Sequence, residues 1–294
     1  MKVLQINNLT KRYGSITAVN NLNLEIEAGS IFGILGPNGS GKTTTLGIIL
    51  GIIGEDSGDY TWFEDNTTKN HRKRIGAILE TPNFYPYLNA EENLKIISQI
   101  KGVKNQDFEG ILKTVNLYER KKSKFRSYSL GMKQRLAIGA TLVGEPDVVI
   151  FDEPTNGLDP EGIAEVRNIL TKVAQGGKTV IMASHILDEV EKVCTHVGII
   201  KKGNLLAVGN VGSILSSNQF IEIGAVDNEK LKADLQGMPA FIKISEKKKY
   251  LECEVSNNVD SARISKALYE KGNVITHFVS KKRSLENEFL EIIK

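Results

Sequence analysis

Cysteine is nearly absent: the 294 residues hold two, Cys194 and Cys253. They lie far apart and form neither a metal-ligand spacing nor a disulfide framework. That pattern reads as two reduced thiols in a cytosolic protein. No run approaches the roughly 18 apolar residues that a membrane-spanning helix needs. If the protein works at a membrane, a different chain must supply the span. The opening MKVLQINNLT alternates apolar and polar residues and lacks the apolar centre of a signal peptide. A surplus of one charge is missing too. Thirty-eight basic against 35 acidic residues leave +3, too even to argue for nucleic acid or a membrane surface as partner. The basic run at 121–126 reads as a solvated helix end. No internal repeat or low-complexity tract is visible. What remains is an ordinary globular composition, 40% hydrophobic and 25% charged, in a chain long enough for one large core or two modest domains.

Periodicity supplies the elements. Residues 3–9 and 22–27 alternate with period two, as half-buried strands do. A short apolar strand at 30–35 runs into a Gly-rich turn, and a helix is expected from Lys42 to about Ile53. Another short strand is expected at 75–79. Asn89 with Glu92 three residues on makes a capping box ahead of Leu94, Ile97 and Ile100. Further helices are expected over about 106–118, from Ser129, and around Ile163, Val166, Leu170 and Val173. Strands are expected at 147–151 and 179–183. Strand and helix alternate, which predicts an α/β fold with a parallel sheet. Around 209–218 the texture changes to Gly, Ser and Asn. Short strands (220–223, 250–255, 274–279) and helical patterns (229–235, 260–271, 284–293) follow, the pattern of a small α+β appendage.

Three motifs carry chemistry. Gly36-Pro37-Asn38-Gly39-Ser40-Gly41-Lys42-Thr43, followed by Thr44, fits G-x-x-x-x-G-K-[ST] between a strand and a helix. Its glycines let backbone N–H groups turn inward around a polyphosphate, and the helix N-terminus adds partial positive charge. Lys42 is expected to reach the β- and γ-phosphates of ATP, and the Thr43 hydroxyl to ligate Mg²⁺. Second, the apolar run Val148–Phe151 ends in Asp152 and Glu153. A buried strand ends in paired acids where a cation or a proton awaits them. Asp152 is assigned to the Mg²⁺ shell and Glu153 to polarising the attacking water. Third, Ser127-Tyr-Ser129-Leu-Gly131-Met132-Lys-Gln-Arg135 opens a helix that Ser129 can cap.

The order of these motifs, with Leu158-Asp159 after them, resembles the ATP-binding cassette (ABC) ATPases over residues 1–215. The resemblance implies a P-loop core with a mostly parallel sheet, an N-terminal antiparallel β part and a helical subdomain at about 85–145. Residues 217–294 would form a C-terminal α+β accessory domain. The family's L-S-G-G-Q appears here as Tyr128-Ser-Leu-Gly-Met132, with Leu130 for a glycine and Met132 for a glutamine. In the family this segment caps ATP bound to the opposite subunit, so Ser129, Gly131 and Met132 are expected to complete a partner's site. Tyr13 matches the aromatic that stacks on adenine. Asp159 matches the loop that contacts the partner cassette, and His185 the switch histidine at the γ-phosphate.

Glu80 stands where the family normally has a Mg²⁺-sensing glutamine, and a carboxylate is the stronger ligand. Glu80, the Ser129 segment and the tail Ser284-Leu-Glu-Asn-Glu-Phe289 are similar to the bacitracin-export and lantibiotic-protection subgroup. The resemblance therefore implies a peptide-antibiotic or drug exporter's ATPase, with Glu153, His185 and Lys42 catalytic and ATP and Mg²⁺ as cofactors. It would work as a homodimer or heterodimer on integral membrane permease subunits, at the cytoplasmic face of the membrane. Segment 80–100, with Phe84, Tyr85 and Tyr87, is the expected docking surface. A soluble, non-transport ABC ATPase is the alternative. The sequence shows one cassette, with no zinc-binding cysteines and no long coiled coil, which disfavours it.

Overall fold

The computed structural model describes residues 1–64, 71–79, 83–214, 219–255 and 260–282. The chain divides into two compact units, Met1–Val211 and the residues from Gly212 onward.

In the first unit β1 (Lys2–Tyr13) and β2 (Ile16–Glu27) form an antiparallel hairpin. Alternate residues point inward, Leu22, Leu24 and Ile26 among them, as the period-two pattern requires. Next come β3 (Ile31–Leu35), α1 (Lys42–Ile49), β4 (Ser57–Trp62) and β5 (Ile75–Ile78). β4 pairs with the other side of β1, completing a three-stranded antiparallel sheet. The helical stretch holds α2 (Ala90–Lys101), α3 (Phe108–Thr114) and α4 (Leu130–Thr141). Then follow β6 (Val148–Asp152), α5 (Pro160–Gln175), β7 (Thr179–Ser184), α6 (Leu187–Val193), β8 (His196–Lys201) and β9 (Asn204–Asn210).

The larger sheet runs β5-β6-β7-β3-β8-β9, parallel except for β9 at its edge. Every residue of β3, β6 and β7 is buried, as expected of strands covered on both faces. Their side chains meet those of β1, β2 and α1 in one core that includes Leu4, Leu24, Ile34, Leu46 and Ile150.

A one-turn helix, α7 (Val211–Ile214), sits where the units divide. The second unit contains β10 (Gln219–Ala225), α8 (Asn228–Gln236), β11 (Phe241–Glu246), β12 (Leu251–Val255), α9 (Ser261–Glu270) and β13 (Ile275–Lys282). Its antiparallel sheet has the order β11-β12-β10-β13. That order in a βαββαβ chain is the ferredoxin-like arrangement. Leu231, Leu235, Ile264 and Leu268 of the helices meet Ile221, Ile223 and Cys253 of the sheet in a core of their own.

Two helices are shorter than periodicity predicts. The helix from Lys42 stops at Ile49 rather than near Ile53, because the amides of Ile52 and Ile53 both fold back onto the Gly47 carbonyl. The helix expected over 106–118 is capped by Asp107 and ends at Thr114. Asn116 then takes φ +54, a left-handed turn that asparagine tolerates. The expected helix at 284–293 lies outside the described residues. Among the described residues no helix is long and apolar enough to cross a membrane.

Candidate nucleotide site

Three adjacent parallel strands aim their C-terminal ends at one place. Leu35 of β3 is in register with Ser184 of β7, and Asp152 of β6 with Ala183. The chain leaves them as Gly36, Glu153 and His185. Gly36 N–H donates to the Ser184 carbonyl (3.3 Å) and Glu153 N–H to the Ala183 carbonyl (3.0 Å). In open α/β sheets ligands bind outside such strand ends.

Residues 36–43 wrap the N-terminus of α1, which no side chain caps. Its first amides are therefore open to an anion. The loop needs glycine at 41: φ is +108, and an added Cβ would sit 2.2 Å from the Ala18 carbonyl oxygen. Lys42 is only 5% exposed. Its ammonium donates to the carbonyls of Gly36 (2.8 Å) and Pro37 (3.3 Å) and pairs with Glu153 Oε1 at 3.3 Å. Ser40 Oγ is buried and makes no hydrogen bond among the described residues.

The Thr43 hydroxyl donates to Asp152 Oδ2 at 2.6 Å. These are two hard oxygens that a small divalent cation could share. Glu153 takes φ +50, an uncommon backbone for a residue with a side chain. The turn directs its carboxylate back across the strand ends, where Oε2 lies 2.8 Å from His185 Nδ1 and 3.3 Å from the His185 N–H. An ionised carboxylate only accepts, so Nδ1 carries a proton in this pair.

Part of the first two motifs lines a cleft of about 550 Å³. Asn38 to Thr44 and Glu153 line it, together with Tyr13. Tyr13 is 49% exposed at the end of β1, an aromatic face a base can stack on. Sequence reasoning missed Ile16, Thr17, Ala18 and Lys202, which line the same cleft. They belong to β2 and to the β8–β9 turn. No local motif marks them, because they come from two different sheets and meet the phosphate loop only in the folded chain.

Ser129, Gly131, Met132 and Asp159 lie elsewhere. They line a second hollow of about 450 Å³ and none of them lines the first. Ser129 Oγ accepts from the Met132 N–H (3.2 Å) and caps α4; Asp159 Oδ1 accepts from the Gly162 N–H (2.9 Å) and caps α5. Leu130 is half exposed at the rim, with a methyl close to Gly157. Glu80 lies outside the described residues.

A phosphate loop, two acids after a buried strand and a second motif held apart in its own hollow define an ATP-binding cassette. Comparison with known proteins agrees: the ABC transporter family model matches residues 19–156. The bacitracin transport ATP-binding protein BcrA of Enterococcus faecalis is 38% identical over 238 residues, covering 79% of this chain and 77% of BcrA. An uncharacterized ABC transporter ATP-binding protein of Bacillus subtilis, YcbN, is 34% identical over 302 residues, covering 99% and 97%. A dimeric ATP-binding cassette solved with ADP and Pi in a post-hydrolysis state superposes with a TM-score of 0.62. It is 27% identical and covers 71% of this chain and 98% of that one. The chain belongs to the ABC transporter family and is an ATP-binding, ATP-hydrolysing cassette of it.

Proposed function

We propose that this cassette supplies the energy of an exporter that removes a peptide antibiotic or similar drug, seated on separately encoded membrane subunits at the cytoplasmic face. The observation that carries the reading is the arrangement around Glu153, held between Lys42 and His185 beside the Thr43–Asp152 pair. Glu153 is placed to orient water, while Lys42 and His185 stabilise charge spreading over the γ-phosphate. The donors suit Mg²⁺. Among the described residues no three His, Cys, Asp or Glu side chains cluster as a metal site, and Mg²⁺ takes one or two protein oxygens with water and phosphate for the rest. Thr43 and Asp152 would hold it, and Glu80 is proposed as a further ligand. Bound there, the ion would neutralise phosphate charge.

Similarity to a bacitracin transport protein supports the exporter. The separation of Ser129, Gly131 and Met132 from the chain's own cleft supports pairing of two cassettes, alike or different, with Asp159 at the contact. Domain limits of 1–215 and 217–294 belong to the same proposal. Docking through 80–100 is supported by Tyr85 and Tyr87, 49% and 61% exposed, whereas Phe84 packs on Phe125 with ring centroids 5.1 Å apart.

Phosphate release tests the catalytic roles. Lys42→Ala and Glu153→Gln are each expected to lose turnover by at least about 100-fold. Release equal to the parent in both variants would overturn the assignment. Sizing Glu153→Gln with and without ATP tests the pairing: a dimer with ATP alone is expected, and a monomer in both states counts against it.

A further inference from the structure

We propose that Lys202 is a nucleotide-binding residue whose ammonium neutralises the phosphate nearest the ribose. The proposal rests on the nucleotide reading of the cleft and adds a cation from outside every motif.

Lys202 belongs to the turn between β8 and β9, far in sequence from the phosphate loop, yet it lines the same cleft. The turn is fixed there. Gly203 N–H donates to the Ser40 carbonyl at 2.8 Å, and Asn20 N–H donates to the Gly203 carbonyl at 2.9 Å. Asn20 Nδ2 donates to Asn204 Oδ1 at 2.8 Å. Gly203 has φ +80, and an added Cβ would stand 3.0 Å from the carbonyl oxygens of both Thr17 and Ala18. Glycine therefore allows the close approach. Lys202 itself takes φ +48, and its carbonyl accepts from Asn204 Nδ2 at 3.0 Å.

Its side chain is the part left over. Lys202 is exposed and forms no ion pair among the described residues, in contrast to Lys42. Tyr13 pairs with Ile16 across the hairpin, Ala18 lies two residues on with its carbonyl against Gly41, and Lys42 and Thr43 follow Gly41. The Lys202 turn bonds to Ser40 and abuts residues 17 and 18, which join Tyr13 and Ile16 on one side to Lys42 and Thr43 on the other. An ammonium donates only, and carries a compact charge. Its natural partner at mid-cleft is a phosphate oxygen rather than a ribose hydroxyl.

The test must not disturb the left-handed backbone. Asparagine tolerates that conformation and carries no charge, so Lys202→Asn is the informative variant. Lys202→Arg keeps the charge. Affinity of the full chain is read by displacing a fluorescent ADP analogue with ADP, AMP or adenosine. Lys202→Asn is expected to weaken ADP and AMP alike by about three- to fivefold, the range of an exposed charge pair. Adenosine should be unaffected, Lys202→Arg should stay within about twofold of the parent, and added salt should shrink the difference. ADP and AMP bound by Lys202→Asn as tightly as by the parent would overturn the proposal. So would an equal loss for adenosine, which would assign Lys202 to holding the turn. Failure of the parent itself to bind ADP would instead remove the nucleotide reading beneath it.

Discussion

Burial of a charge is the sharpest residue-scale effect outside the cleft. Glu189 of α6 is 6% exposed, and its Oε2 makes no hydrogen bond among the described residues. Burial pushes its carboxyl above the ordinary value, Asp188 adds to the effect, and Arg167 and Lys192 oppose it. The sign follows from linkage. A carboxyl with a raised folded-state pKa binds its proton more tightly in the folded protein, so stability falls as pH rises from the ordinary carboxyl range through the raised value. Glu189→Gln removes that loss. It is expected to stabilise the first unit by about 1 kcal/mol at pH 7.5, with the gain shrinking toward pH 5. Urea unfolding followed through Trp62 fluorescence checks it, since Trp62 is buried in the same unit. A gain that is constant with pH would show that ionisation of Glu189 is not its source, and a loss at pH 7.5 that the carboxylate is compensated.

Among the elements, the segment 83–89 ahead of α2 is tied to that helix by the Asn93 side chain together with the capping box. Asn93, 2% exposed, accepts from the Tyr85 N–H (2.9 Å) and donates to the carbonyls of Tyr85 (3.3 Å) and Asn89 (2.9 Å). On the other side Phe125 and Arg126 donate to the carbonyls of Leu88 and Pro86. Asn93→Ala leaves the Tyr85 N–H unmatched, while the Tyr85 carbonyl keeps the Leu88 N–H at 3.2 Å, and should cost about 1–3 kcal/mol. Amide exchange over 83–88 should quicken, while ATP turnover of the isolated cassette stays near the parent's. Unchanged exchange there would mean that 125–126 alone hold the segment. The capping box at Asn89 and Glu92 was legible because its atoms are four neighbours in sequence. The same holds for the loop 36–43 and for Asp152-Glu153, each a contiguous string at a strand end. β4 was not legible, since Ser57-Gly-Asp has little strand propensity and is held by pairing with β1. Ile16, Thr17, Ala18 and Lys202 reach the cleft from distant segments, and no local pattern announces that meeting.

At the scale of the whole molecule, each of the two units has a core and each holds one cysteine. Cys194 is buried in the first unit and Cys253 in the second. Burial pushes both thiols up to about 12, so the reactive thiolate is scarce at neutral pH and labelling waits for unfolding. Alkylation across a urea series, read residue by residue by mass spectrometry, therefore follows the two units separately. ADP at about 100 times its Kd should stabilise the unit that binds it by about 2.7 kcal/mol. The Cys194 midpoint should rise and the Cys253 midpoint stay. Leu268→Ala, which empties a fully buried position between α9 and the second sheet, should cost about 2–5 kcal/mol. That loss should lower the Cys253 midpoint and spare the Cys194 response to ADP. If ADP raised both midpoints equally, the units would unfold as one cooperative block. The C-terminal unit would then share the energetics of nucleotide binding and would not be an independent appendage to the cassette.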